Sequence, residues 1–241
     1  MSKYNIITLE EVESTNAYAL EFMSSFEDRT VINALIQTNG RGRYNRNWLS
    51  DNSSNIYMTI VLKPQTENYP FQNLTQYLSV VVCKVLENEY KIKTSIKWPN
   101  DILVEGAKIS GILAETSVNN GKINGIALGL GVNVNMQQET LDKIDQKAVS
   151  IAVLTKKEQN CEDLINKISN LFFEDYDEFT KKGFEFIEDE YIKRCSFLGK
   201  QITIREENKQ YLAKGIDKNG LLLVKDDLKK EVKIITGDIL C

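Results

Sequence analysis

The chain has 241 residues, a formal net charge of −4 and no histidine. Its length allows one large domain or one domain with a small module, and its acidic balance argues against a large footprint on duplex DNA. Without histidine there is no Ser-His-Asp triad, no Cys-His pair and no histidine metal ligand, so catalysis has to use lysine, arginine, acids, amides, hydroxyls or a bound cation.

The first part of the chain is predicted to alternate between strands and helices. The predicted strands are 4–10, 31–38 and 56–63. These segments are rich in β-branched and aromatic residues, which favour strands. A short helix is predicted at 17–26, because the polar residues 14-STN-16 offer N-cap side chains. A second helix is predicted at 71–90, where apolar residues recur on one stripe and indicate a core-facing surface.

The middle of the chain is predicted to form hairpins followed by two helices. The strand-like segments are 94–98, 101–104, 108–118 and 123–135. A Pro-Asn turn separates the first two, and 119-NNGK-122 joins the last two as a hairpin. Apolar side chains at helical spacing predict the two helices, at 160–181 and 184–195.

The chain changes character after Gly199, where short strands alternate with turns. The predicted strands are 201–205, 211–217, 221–226 and 231–236. Their spacing of about ten residues suggests a small appended β-barrel. The sequence therefore predicts an α+β fold, with a mixed β-sheet flanked by helices and a compact C-terminal β module.

Several features predict a cytoplasmic protein that has no association with a membrane. The longest apolar run is too short to span a bilayer, and the first residues lack the pattern of a secretory signal. The four cysteines include no C-x-x-C pair. This spacing is typical of reduced cytosolic thiols and supports neither a disulfide framework nor a zinc site.

The loop 39-NGRGRYNRNW-48, here called the arginine loop, contains three of the six arginines, and residues 29–50 contain no acid. Gly40 and Gly42 permit close approach of the backbone to a ligand. The guanidinium groups are planar forks that bind carboxylate or phosphate in bidentate fashion. Trp48 adds an apolar wall. The pattern predicts a loop that folds over an anion with an apolar body.

Three other interpretations of the arginine loop have to be weighed. It could be a solvated surface loop, a dinucleotide-binding turn or a contact for single-stranded nucleic acid. Asn45 stands where a dinucleotide-binding turn needs its third glycine, and no helix begins after it, so that turn is rejected. One short cluster in an acidic chain is also a poor electrostatic track for a nucleic acid.

Other segments add polar groups at the ends of strands. Pro99 stiffens the corner 97-KWPND-101, so its lysine, asparagine and aspartate project together. Lys108 begins a largely apolar strand, and Gly111 leaves room against the sheet. Taken singly, these are an ordinary turn and an edge lysine. Together with Asn133 they predict a cationic, glycine-bordered pocket that stabilises phosphate charge.

The run 40-GRGRYNRNWLS-50 resembles the G-R-G-R-x-G-R-x-W-x-S signature of biotin protein ligases. In that family the signature occurs with S-T-N, K-W-P-N-D, K-x-x-G-I-L-x-E and G-x-G-x-N. All of these motifs occur here in the family's order, at 14–16, 97–101, 108–115 and 129–133. Gln37 also matches. The resemblance covers almost the entire chain, including the C-terminal β module.

The resemblance implies a class II synthetase-like biotin/lipoate ligase catalytic domain at 1–195 and a small C-terminal SH3-like β-barrel at 196–241. It implies that biotin and ATP with Mg²⁺ give biotinyl-5′-adenylate and pyrophosphate. A lysine of the biotin carboxyl carrier domain of acetyl-CoA carboxylase or a related carboxylase then attacks the adenylate. Because the chain starts at the first strand, the resemblance implies a short form without an N-terminal DNA-binding domain. A homodimer is left open.

The matching motifs also imply roles for individual residues. The residues expected to bind biotin are Ser14, Thr15, Asn16, Gln37, Gly40, Arg41, Gly42, Arg43, Trp48, Lys108 and Gly111. Those expected to bind the nucleotide or adenylate are Arg41, Arg43, Arg46, Trp48, Lys97, Asn100, Asp101, Lys108 and Asn133. Catalytic roles are expected for Lys108, Arg43 and Asp101, with Lys108 bridging the biotin carboxylate and the α-phosphate. Mg²⁺ is expected to be carried by ATP, with Asp101 nearby.

Asn45 is the one departure, since the family has glycine at this position. Asparagine is the best non-glycine residue for left-handed geometry, so the turn is expected to survive, while the flexibility of the loop is in question. Two other functions stay open. A lipoate-protein ligase resembles this family in fold and in its acyl-adenylate, and a non-catalytic sensor of biotin or an adenylate would keep the pocket.

Overall fold

The computed structural model describes residues 4–50, 52–64, 69–119 and 121–240. The larger sheet has seven strands in the order β1-β2-β3-β7-β6-β5-β4. They are β1 (Asn5–Val12), β2 (Thr30–Gln37), β3 (Ile56–Leu62), β4 (Ser95–Lys97), β5 (Asp101–Val104), β6 (Ala107–Asn119) and β7 (Lys122–Val132). Strands β1 and β2 are parallel and the other neighbours antiparallel, so the prediction of a mixed sheet is confirmed.

Six α-helices accompany the sheets in the described residues. They are α1 (Thr15–Glu21), α2 (Leu74–Tyr90), α3 (Gln138–Leu141), α4 (Ile151–Thr155), α5 (Cys161–Lys182) and α6 (Glu188–Ile192). Helices α2 and α5 pack together, and the rings of Tyr77 and Phe179 stack with their centroids 4.3 Å apart. None of these helices is long and apolar enough to cross a membrane.

The two faces of the larger sheet are covered unequally. On one face, alternate residues of β3, including Met58 and Ile60, belong to an extensive core that includes side chains of α2 and α5. On the other face, Val61 belongs to a small cluster with Ala19 of α1 and Met23. The thin cover on this second face leaves part of the sheet available for a cavity.

The predicted elements are present, with differences at helix ends and in short segments. The helix predicted at 17–26 begins at Thr15, because the Ser14 side chain accepts a hydrogen bond from the Ala17 amide as its N-cap. It ends at Glu21, and a 3₁₀ turn follows at Met23–Ser25. The helix predicted at 184–195 is a 3₁₀ turn and the short α6. Helices α3 and α4 lack a long apolar stripe and were not predicted.

The C-terminal module is an antiparallel sheet of five strands in the order β11-β10-β9-β8-β12. The strands are β8 (Gln201–Ile204), β9 (Lys209–Ile216), β10 (Leu222–Lys225), β11 (Glu231–Ile234) and β12 (Ile239–Leu240). The four predicted strands are confirmed, and β12 is added to them. The five antiparallel strands are consistent with the expected SH3-like fold, but within the described residues the edge strands β11 and β12 do not pair, so no closed barrel is seen.

The C-terminal sheet is attached to the larger part through the turn 219-NG-220. Asn73 Nδ2 donates to the Asn219 carbonyl (2.9 Å), and Gln76 Nε2 donates to the Gly220 carbonyl (2.9 Å). Trp98 Nε1 donates to the same carbonyl (3.1 Å). Apolar side chains of both parts also pack in one continuous cluster. The boundary between residues 195 and 196 therefore stays a prediction.

We expect Gly220→Ala to loosen this attachment. Gly220 has a φ of +81°, and a Cβ there would lie 2.4 Å from Gln76 Oε1 and 2.5 Å from Asn73 Nδ2. Backbone strain and this clash should lower the free energy of unfolding by about 2–4 kcal/mol, measured by urea unfolding. Gly106→Ala is the matched control, since its φ is +78° but nothing lies within 4 Å. Equal losses in both variants would contradict a packing role for Gly220.

Candidate active site

The arginine loop covers the thinly packed face of the larger sheet and helps enclose a cavity of about 610 Å³. This volume lies in the range of small-molecule sites. Most of the predicted site residues line it, namely Ser14, Thr15, Asn16, Gln37, Arg41, Gly42, Arg43, Arg46, Trp48, Asn100, Asp101, Lys108 and Gly111. The structure therefore brings together residues that are up to 97 positions apart in the chain.

One end of the cavity is lined by the neutral polar side chains of Ser14, Thr15, Asn16 and Gln37, and Thr59 lies buried behind them; these five residues are here called the head pocket. Gln37 Oε1 accepts a hydrogen bond from the Thr15 amide (2.8 Å). The Thr59 hydroxyl lies 2.8 Å from Thr15 Oγ1 and 2.7 Å from Asn16 Oδ1. All five residues are buried. The head pocket suits an uncharged ligand group that has both hydrogen-bond donors and acceptors.

Three glycines of β6 and β7, here called the glycine floor, lie behind the cavity: Gly111, Gly129 and Gly131. A Cβ on Gly131 would lie 2.4 Å from Trp48 Cε2, and one on Gly111 would lie 3.0 Å from Trp48 Cζ3. The indole therefore lies directly against the sheet, where it forms the predicted apolar wall. Trp48 Nε1 is buried and has no hydrogen-bond partner among the described residues. A buried donor without an acceptor is uncommon, so this N–H is available to a ligand.

The other end of the cavity, here called the charged end, is built around two carboxylates. Asp101 Oδ1 lies 2.8 Å from Lys108 Nζ, and Asp101 Oδ2 lies 3.8 Å from Lys97 Nζ. Asp238, from the C-terminal sheet, lies 3.1 Å from Lys97 Nζ and 2.6 Å from Arg46 Nη1. Arg205 Nε lies 3.6 Å from the same carboxylate. The cations outnumber the two acids, so the charged end favours an anionic ligand.

Asp238 is largely buried, yet it is held in its ionised form. Burial alone would raise its pKa, but the hydrogen bond from Arg46 and the positive charge of Lys97 outweigh burial and lower the pKa below its ordinary value. The side chains of Asp101 and Asp238 are only 10% and 9% exposed. Asp238 therefore acts as a fixed negative charge that gathers cations around the cavity.

Arg43 extends from the arginine loop to the C-terminal sheet. Its guanidinium donates to Asn100 Oδ1 (3.2 Å), to the Gly237 carbonyl (3.0 Å) and to Thr236 Oγ1 (3.1 Å). Tyr44 follows it with a φ of 56°. The left-handed backbone expected at Asn45 is thus seen at Tyr44, while the side chain of Asn45 lies outside the described part of the structure.

Four predicted residues, Gly40, Arg41, Lys97 and Asn133, lie at the margin of the cavity or behind it. Arg41 lines the cavity but also pairs with Glu13 (3.0 Å) at an exposed position. Gly40 lies at the base of the arginine loop, where its carbonyl accepts from the Trp48 amide (2.9 Å) and a Cβ would lie 2.4 Å from Ser50 Oγ. Lys97 reaches Asp101 and Asp238 without being among the lining residues.

Asn133 is buried behind Lys108. Its side-chain amide donates to the carbonyls of Lys108 (3.3 Å) and Val149 (3.2 Å). Its described hydrogen bonds therefore support the strand that carries Lys108, and its contact with a nucleotide stays a prediction.

Comparisons with known proteins agree with this geometry. Residues 9–133 match the model of the biotin/lipoate A/B protein ligase family, which covers more than half of the chain. The chain belongs to this family. Residues 197–240 match the biotin protein ligase C-terminal domain. This second match places the chain with the biotin ligases of the family and not with the lipoate ligases.

Individual relatives and a structural neighbour of the chain are also ligases. The chain is 30% identical to the bifunctional ligase/repressor BirA of Bacillus spizizenii, over 98% of this chain and 73% of that protein. It is 26% identical to the biotin–[acetyl-CoA-carboxylase] ligase of Paracoccus denitrificans, over 93% and 95%. The structure of the Aquifex aeolicus biotin protein ligase with biotin and ATP superposes with a TM-score of 0.85, at 28% identity over 98% and 97% of the two chains. The chain is an ATP-dependent biotin–protein ligase.

The sequence did not reveal every residue of this ligase cavity. Lys143, Ile144, Asp145 and Gln146 line it after α3, and the C-terminal sheet adds Arg205 and Asp238. The segment after residue 146 runs beside Lys108, whose amide donates to the Lys147 carbonyl (2.8 Å). Residues 136–150 have no periodicity that would have revealed this contact. Asp238 follows Gly237 directly, and this Gly-Asp pair was the available signal.

We expect Gly131→Ala to weaken ligand binding by this ligase. The added methyl group would push Trp48 off the glycine floor and into the cavity, because it would lie 2.4 Å from the indole. The Kd for biotin should rise at least about 10-fold, measured by isothermal titration calorimetry. Gly125→Ala is the control on the same strand. There the new Cβ meets the flexible Met23 side chain away from the cavity, so biotin binding should not change.

Proposed function

We propose that this cavity activates biotin with ATP and transfers it to a lysine of a carrier protein. The observation that carries the proposal is the division of one cavity into a neutral head pocket and a charged end, with Trp48 between them on the glycine floor. Biotin has the same division, since an uncharged ureido ring system is joined by an apolar tail to a carboxylate. In this proposal the ring system lies in the head pocket and the carboxylate points to Lys108.

In the first step a biotin carboxylate oxygen attacks the α-phosphorus of ATP. A bond forms between these two atoms, and the bond from the α-phosphorus to the oxygen that bridges to the β-phosphate breaks, which releases pyrophosphate. Negative charge develops on the phosphoryl oxygens during this step. In this proposal Lys108, which Asp101 holds at 2.8 Å, stabilises that charge together with Lys97 and with Arg43, which contacts Asn100. The indole N–H of Trp48 is a further donor to a ligand oxygen.

ATP is proposed to enter as its magnesium complex. Mg²⁺ prefers oxygen ligands and commonly takes one or two carboxylates together with phosphate oxygens. No group of three or more acidic or cysteine side chains in the described residues is arranged to hold a metal ion. We therefore assign the ion to the phosphates, with Asp101 as the nearby carboxylate.

In the second step the amine of the carrier lysine attacks the carbonyl carbon of the adenylate. A C–N bond forms, the C–O bond to AMP breaks, and the amine loses a proton. Asp101 is a carboxylate at this end of the cavity and is our proposed proton acceptor. The mixed anhydride is open to hydrolysis, so the arginine loop must limit the access of water until the carrier arrives. The contacts of Arg43 with residues 236 and 237 support a closed position of this loop.

The proposed acceptor is the carrier domain of acetyl-CoA carboxylase or a related carboxylase. Biotin ligases of this family act on such carrier proteins. Action in the cytoplasm, the lack of DNA binding and a homodimer stay predictions. The competing proposal of a non-catalytic biotin sensor is tested by biotin-dependent exchange of pyrophosphate into ATP, which a sensor would not catalyse.

We expect Lys108→Ala to reduce adenylation by about 10²–10³-fold, because the variant lacks a preorganised charge at the reacting phosphate. The measurement is biotin-dependent ATP–pyrophosphate exchange. Lys122→Ala removes an exposed lysine at the start of β7 and serves as the control. Unchanged exchange in the Lys108 variant would mean that this lysine only stabilises the strand edge.

We expect Arg43→Ala to release the adenylate early. The variant loses the contacts of the arginine loop with Asn100, Thr236 and Gly237, so the loop should open more often. Single-turnover assays with radiolabelled ATP should show biotinyl-adenylate in solution and its hydrolysis, at a release rate at least about 10-fold that of the wild type. Equal retention by the two proteins would count against closure of the loop.

A further inference from the structure

The side-chain amide of Asn16 is held from two sides in the head pocket. Its Nδ2 donates to Glu115 Oε2 (2.8 Å) and to the Leu113 carbonyl (3.2 Å). Its Oδ1 accepts from the Thr59 hydroxyl (2.7 Å). Gly129 lies beside this oxygen, and a Cβ there would lie 2.4 Å from it. The amide of Asn16 therefore has a fixed place against the sheet.

The charge of Glu115 fixes which way this amide points. A carboxylate and a carbonyl can only accept, so both hydrogens of Asn16 Nδ2 are used by Glu115 and Leu113. A flipped amide would bring its oxygen against the carboxylate of Glu115. The amide oxygen is therefore held on the side of Thr59, and it has a second lone pair for a ligand in the cavity that Asn16 lines.

The same constraint continues along the head pocket. Thr59 has one hydroxyl proton and lies within hydrogen-bond distance of both Asn16 Oδ1 and Thr15 Oγ1. An amide oxygen cannot donate, so the Thr59 proton goes to Asn16. The Thr15 hydroxyl then donates its own proton to Gln37 Oε1 (3.1 Å) or to Thr59, and in both cases lone pairs of Thr15 Oγ1 are available to the ligand. The orientation that begins at Glu115 thus leaves two oxygen acceptors, Asn16 Oδ1 and Thr15 Oγ1, toward the cavity.

We propose that Glu115, which does not line the cavity, is a positioning residue that makes the head pocket specific for a ligand carrying ureido N–H donors. This inference rests on the proposed function. A ureido ring supplies two N–H groups, which match the oxygen acceptors, whereas the dithiolane ring of lipoate supplies none. A pocket built to accept hydrogen bonds strongly disfavours a ligand without the donors, because its buried acceptors are then left unpaired.

The first test compares substitutions of Glu115 that keep or remove its acceptor. Glu115→Met keeps a similar volume and removes the acceptor, and it should raise the Kd for biotin by about 10- to 100-fold, measured by calorimetry. Glu115→Gln keeps an acceptor oxygen and should stay within about 3-fold of wild type. The KM for ATP should stay within about 2-fold in both variants, because the charged end is unchanged. Thr116→Ala, at the exposed neighbouring position of β6, is the control.

The second test separates positioning from general stability. The ligands are biotin and its two cyclic carbamate analogues, each with one ureido N–H replaced by oxygen. Wild type should lose at least about 10-fold in affinity for one analogue, whereas Glu115→Met should lose little more than it has already lost for biotin. If each analogue lowers the affinity by the same factor in wild type and in the Glu115 variant, the positioning role of Glu115 is overturned, and the proposed function is not affected. If the wild type neither binds biotin nor catalyses biotin-dependent exchange, the proposed function falls as well.

Discussion

Lys97 lies between two carboxylates, 3.8 Å from that of Asp101 and 3.1 Å from that of Asp238, and the rest of the site depends on this bridge. Asp101 belongs to β5 and also holds Lys108, while Asp238 precedes β12 and also holds Arg46. Cations in one small region repel one another by several kcal/mol at a separation of about 4 Å, with the effective dielectric constant near a protein surface. The two acids offset this repulsion, and they join the arginine loop, the larger sheet and the C-terminal sheet in one network.

The second requirement is space, which the glycine floor provides. Most of a sheet face is normally covered by a helix, but here the cover on one face is the short α1 with its small apolar cluster. Trp48 takes the remaining place, and it can lie this close only because Gly131 and Gly111 have no side chains. The apolar wall and the charged end are therefore adjacent, as a ligand with an apolar tail and a terminal carboxylate requires.

Local patterns were sufficient for much of the fold and part of the site. Strands β1 to β3 and helices α2 and α5 follow from hydrophobic patterns that each segment carries by itself. The arginine loop was predicted to fold over an anion from its own unusual residue types, whereas the corner at Pro99 was predicted to border the pocket only in combination with other segments. The contacts between Arg46 and Asp238 could not be predicted in this way. These residues are 192 positions apart, and no feature of the local sequence around either residue indicates that the other is its partner.

The open C-terminal sheet shows a related limit. Strand spacing indicated four strands, but whether the sheet closes depends on how β11 and β12 lie relative to each other, and short strands carry little information about that. The same holds for residues 143–146. They line the cavity because the following segment pairs with the backbone of Lys108, and backbone pairing leaves no trace in side-chain identity.

The network around Asp238 also determines what can release Arg46 and Lys97 from this carboxylate. Because the pKa of Asp238 is lowered in the folded state, its ion pairs stabilise the protein fully above the ordinary aspartate pKa of 3.8. That stabilisation is lost only as the pH falls through the lowered pKa of the folded state. Near neutral pH, protonation therefore cannot release Arg46 or Lys97. A phosphate can do so, since it offers the same cations a stronger negative charge and more acceptor oxygens. In the proposed mechanism Arg46 and Lys97 therefore exchange the Asp238 carboxylate for the phosphate of the nucleotide, while the contacts of Arg43 with residues 236 and 237 keep the loop closed.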